Sequence, residues 1–138
     1  MTANTKEQAL KMELTAQESD IAPYVSIERF FEGNTDEGSI GCNLLEHPGI
    51  GVFRDTLVGL LRRPDVEAVY AQISEIDPGT GLWPFTDMVV VVGSIAAEEL
   101  ARLVAPLEPD EVADAQEGSV SEGILSAHKS PVLYAWWD

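Results

Sequence analysis

Apolar residues recur along this chain with two periods, and the switch between them marks out its elements. Over residues 24–31, Val25, Ile27 and Phe31 fall on one face of an extended chain, with Arg29 as the exception, which predicts a strand. Residues 32–38 are dense in turn formers. Ile40, Cys42 and Leu44 then alternate through 39–45, predicting a second strand and a β-hairpin with a long tip. After the Pro48-Gly49 break the period changes. Phe53, Leu57, Leu60 and Leu61 stand at i, i+4, i+7 and i+8, one face of a helix. Arg62 and Arg63 suit the negative end of its dipole, and Pro64 ends it.

The second half follows the same order. Residues 66–76 read as a strand with Val69, Ala71 and Ile73 on one face. Residues 77–81 form a turn, and 86–92 are apolar on both faces, the mark of a central, doubly covered strand. Residues 96–107 make a helix that buries Leu100, Leu103, Val104 and Leu107. Pro109 sits where a helix accepts proline, with Asp110 and Glu111 in the first turn, so a short helix is expected to about Gln116. Residues 118–130 read as loop or fraying helix, and 131–137 as the last strand. The expected fold is α+β: a two-layer sandwich of a largely antiparallel five-stranded sheet with helices, in the order β-β-α-β-β-α-α-β. Two ββα halves suggest a duplicated architecture. Residues 1–22, polar apart from a weak helical pattern at Leu10 and Leu14, are expected as a flexible or docked arm outside the core, and 23–138 as a single domain.

Charge narrows the function classes. Twenty-four acidic residues face eight basic ones, a net charge of −16. Nucleic acid and anionic membranes would be repelled, and a basic protein surface would be steered in. The N-terminus lacks the apolar stretch of a secretory signal, the longest apolar run (88–92) is far too short to span a bilayer, and a single cysteine, Cys42, forms no internal disulfide; a cytoplasmic setting is expected.

Candidate chemistry is sparse. Glu32, Asn34, Asp36 and Glu37 resemble a calcium loop in spacing, but Glu37 stands where such a loop needs glycine and Asn43 where it needs glutamate. They read as a solvated hairpin tip. Cys42 and His47 lie five apart, yet Cys42 falls on the apolar face of the expected strand among negative charges, so it reads as a buried, inert thiol. His47 and His128 lack zinc-ligand spacing, and no metal or cofactor is expected. Trp136 and Trp137 point to opposite faces of their strand, so one enters the core and the other needs different cover. Trp83, in a loop between strands, either caps the edge of the core or, if exposed, touches a partner.

The reading is a non-enzymatic protein-binding or regulatory module, an inhibitor or immunity-type protein for a basic partner being one version. Asp36, Glu37 and Trp83 are its candidate binding residues. The alternative is a small enzyme or ligand-binding protein with a loop site at residues 32–43, His47 and Trp83. A third reading pairs the C-terminal strand with a second copy to make a homodimer.

Overall fold

The structure is a computed structural model that describes residues 5–116 and 118–138. Its centre is β2 (Val66–Glu75) paired antiparallel with β3 (Phe85–Gly93). Val89, Val90, Val91 and Val92 are all buried, as a strand covered on both faces requires. β1 (Tyr24–Ser26) joins β2 at one edge, and β5 (Val132–Trp136) joins β3 on the other side. β4 (Glu111–Asp114) completes an antiparallel five-stranded sheet in the order β1-β2-β3-β5-β4. The α+β fold expected from the sequence is the fold found, although several elements differ.

The helices α1 (Thr5–Ala16), α2 (Ile27–Phe31), α3 (Ile50–Gly59) and α4 (Ala97–Val104) contribute to one core on the Val89/Val91 face of the sheet. Leu10, Phe30, Phe53, Leu57 and Leu100 are fully buried there. Three-residue 3-10 turns extend α3 to Arg62 and α4 to Leu107. The opposite face, with Val90 and Val92, packs against Val120 and Ile124, the latter from the short helix α5 (Glu122–Ala127).

Several expectations are corrected. The strand expected over 24–31 stops at Ser26, whose hydroxyl accepts from the Arg29 N–H at 3.3 Å and starts α2. Residues 39–45 form no strand. A 3-10 turn at Glu37–Ser39 leads into Gly41, whose φ of 66° takes the chain out of the extended conformation, and a single bridge from Ile40 to Thr86 is what joins this segment to the sheet. Cys42 is therefore exposed rather than buried, and the hairpin and the duplicated ββα halves are absent. Residues 111–114 are strand rather than helix, because the Asp110 and Ala115 N–H groups donate to Trp136 and Val132 carbonyls at 2.8 Å. β5 consequently lies between β3 and β4, so the C-terminal strand has no free edge for a second copy; the edges are β1 and β4.

α1 places Leu10 and Leu14 in the main core, where an arm outside it was expected. Lys11 fixes it to the β2–β3 turn. Its ammonium donates to Glu7 at 2.7 Å, Asp77 at 3.0 Å and the Gly79 carbonyl at 3.1 Å. Burial by itself would lower the Lys11 pKa, but the bonds to Glu7 and Asp77 outweigh it and raise the value above 10.5. A lysine with a raised folded pKa adds stability that is complete below its unfolded pKa and is lost as pH rises through the folded one. Lys11→Met is therefore expected to cost about 2 kcal/mol in urea unfolding at neutral pH. The variant should also lose less stability than the parent as pH is raised past 10.5. Equal midpoints at neutral pH would show that the contact adds nothing.

Candidate functional site

Where β5 ends and β4 begins, the loop after Ile40 folds over Trp137. The Phe53 ring sets this arrangement. A side chain at Gly41 would come within 2.7 Å of Phe53 Cζ, so the chain passes over the ring only because residue 41 has none. His47 then pins the loop. Its Nε2 donates to the Ile40 carbonyl at 2.9 Å, and its Nδ1 accepts from the Gly49 N–H at 2.9 Å. Those two roles together describe a neutral ring with its proton on Nε2. The His47 ring lies 5.0 Å from Phe53, and Phe53 lies 5.7 Å from Trp137. Trp137 is buried and donates its indole N–H to the Leu107 carbonyl at 2.8 Å.

Above this aromatic row opens a cleft of about 630 Å³. Leu45, Glu46, Glu108, Asp110, Trp137 and Asp138 are among its lining residues; four of these are acidic, and no lysine or arginine lines it. Asp110 accepts from the Asp138 N–H at 2.7 Å, and Asn43 donates to the Asp138 carbonyl at 3.1 Å, which ties the three segments together. Leu45 is fully exposed on the wall (103%). Glu108 has φ of 53° and is the one non-glycine residue with positive φ among those described. Such a backbone is costly and tends to persist at binding sites. A groove of similar volume lies between α2 and α3, but there Arg54 and Arg62 offset Glu28, Glu32 and Asp55.

Of the residues singled out from the sequence, Asn43 and Trp137 line the cleft, whereas Asp36, Glu37, His47 and Trp83 do not. Asp36 and Trp83 do meet. One Asp36 oxygen accepts from the Trp83 N–H at 3.1 Å and the other from the Gly38 N–H at 2.9 Å. Asp36 thus holds the loop to the strand that follows. Trp83 is 2% exposed and caps the core, so it offers no surface to a partner. Glu37 is exposed next to the turn at Gly49. Cys42 and His47 make no pair, since both His47 nitrogens are bonded to backbone. Among the described residues, no group of three or more His, Cys, Asp and Glu is arranged to hold a metal ion. Nor is any helix among them long and apolar enough to cross a membrane.

A second cluster escaped sequence reasoning. His128 Nε2 lies 2.8 Å from the Tyr70 hydroxyl, and its Nδ1 bonds Glu67, which also accepts from Ser130 at 3.4 Å. The order Glu–His–Tyr resembles a proton relay. However, burial, with the charges of Tyr24 and Glu67, raises the Tyr70 pKa, so the phenol stays protonated at neutral pH. The cluster ties the connector between α5 and β5 to β2. Nothing in the spacing of residues 67, 70 and 128 announces it.

Residues 5–137 match the family described as "Uncharacterized protein YfbO family". A protein of Escherichia coli (strain K12), described as "Uncharacterized protein YfbO", is 27% identical over 119 residues, which cover 84% of this chain and 83% of that relative. No solved structure matches.

Proposed function

The chain belongs to the uncharacterized YfbO family, and we propose that it is a non-enzymatic, cytoplasmic binding module whose acidic cleft takes a basic segment of a partner protein. The observation that carries this reading is the cleft lining: four acidic residues with no basic one, beside a fully exposed leucine. A net charge of −16 would steer a cationic surface toward it, and the cleft walls of low polarizability would focus that field. Leu45 supplies the apolar contact that a purely electrostatic encounter lacks. Asp36 and Glu37, the loop acids expected from the sequence, add to the overall negative field. Trp83 contributes by holding Asp36 in place.

Glu46 and Glu108 can be neutralised with little structural penalty, since both are exposed. The double substitution Glu46→Gln/Glu108→Gln is expected to slow association with an oligoarginine peptide by about tenfold at low salt. The parent's association rate should fall steeply as salt is added, and the variant's less so. Stopped-flow fluorescence of a labelled peptide measures both. A parent rate indifferent to salt would remove the electrostatic basis of this reading.

A further inference from the structure

β4 is the outer strand next to the cleft, and its outward side is unpaired. The Ala115 N–H donates to Val132 at 2.8 Å, and the register runs from Asp114↔Leu133 to Glu111↔Trp136. In an antiparallel ladder every second residue turns both backbone polar groups toward its neighbour. Residues 111, 113 and 115 therefore face β5, while Val112 and Asp114 present N–H and C=O outward. Among the described residues, no backbone hydrogen bond from another segment reaches either. Exposed edges of this kind take up extended peptides.

What lies around the edge selects the occupant. From residue 103 to residue 128 the chain carries six acidic residues and no lysine or arginine. Asp110, on the cleft wall, leads directly into β4. On the face of the sheet shared by Glu111 and Ala113, Trp136 and Tyr134 are only half-buried. Ala113, with a single methyl, stands between the Tyr134 ring and the open edge. A guanidinium on an added strand would meet that ring, an arrangement worth more for arginine than for a neutral side chain. A second copy of this chain is disfavoured, because pairing two copies of β4 would crowd the carboxylates of Glu111 and Asp114 from both edges together.

We propose that β4 accepts an extended, arginine-rich segment of a partner protein as a sixth strand of the sheet, continuous with the acidic cleft. This deepens the reading above and rests on it, but adds a requirement for backbone pairing that charge alone does not impose.

The test uses the full chain and two synthetic octapeptides of alternating arginine and threonine, one unmodified and one N-methylated at every backbone amide. The two carry the same charge, but the second cannot complete the ladder. The unmodified peptide should bind at least about tenfold more tightly in calorimetry. Its binding should also slow hydrogen exchange at the Val112 and Asp114 amides. Asp114→Pro, which removes an outward N–H and leaves the ladder to β5 intact, should weaken binding more than Asp114→Asn, which removes the charge alone. Equal binding of the two peptides, with no protection at residues 112 and 114, would overturn strand addition while leaving the acidic-module reading in place. Failure of both peptides to bind at low salt would overturn both.

Discussion

Gly93→Ala is expected to destabilise the protein by about 3 kcal/mol, close to the upper end for overpacking a core. Gly93 is the last residue of β3, where it opposes Val66 at the start of β2. Its N–H donates to the Pro131 carbonyl at 2.9 Å, and the next N–H, of Ser94, donates to the Asp65 carbonyl at 2.9 Å. Those bonds press the two chains together. A β-carbon at residue 93 would fall on the Asp65 carbonyl oxygen and stand 2.9 Å from Val66 Cα. Both obstacles are backbone, so no rotamer change relieves them. Relief requires parting β2 from β3 at the point where β5 also enters. Gly59→Ala is the matched control. It lies in α3 with open space around its would-be β-carbon, and alanine there should stabilise by about 0.5–1 kcal/mol. Guanidinium unfolding of both variants measures the contrast; a loss below about 1 kcal/mol at Gly93 would mean that the strand pair yields more easily than its hydrogen bonds imply.

The elements that were legible in the sequence are those whose periodicity is long enough to have one interpretation. α3 announces itself through Phe53, Leu57 and Leu60, and β3 through its unbroken valines, because burial imposes the pattern directly. The segment 24–31 is different. Val25, Ile27 and Phe31 suit a strand, yet Ile27, Phe30 and Phe31 equally suit a helical turn, and the cap at Ser26 decides between them. β4 was misread because Pro109, Asp110 and Glu111 are good residues for a helix start. Pairing with β5, some twenty residues later in the chain, overrides that local preference. The cleft was illegible for the same reason on a larger scale. Glu46, Glu108, Asp110 and Asp138 meet only once Gly41 has passed over Phe53 and β4 has found its register. Acidity as such was visible, but its convergence depends on contacts between distant segments.

Trp137→Ala is expected to cost about 3–5 kcal/mol, as removal of a large buried aromatic does. The conservative variant divides that loss into two parts. Trp137→Phe keeps a ring against Phe53 but strips the Leu107 carbonyl of its indole donor, and should cost about 1–2 kcal/mol. The remainder belongs to packing. This residue also connects stability to the cleft, because the row Trp137–Phe53–His47 supports the loop that His47 bonds at Ile40 and Gly49. With alanine at 137, Phe53 loses its neighbour, and the ring over which Gly41 turns loses its support. Amides of residues 41–49 should then exchange faster than those of β2 and β3, a difference that Trp137→Phe should largely abolish. If phenylalanine destabilises as much as alanine does, the bond to Leu107 rather than the ring holds this end of the sheet. The cleft wall would then depend on the 3-10 turn that carries Leu107 and leads into Glu108.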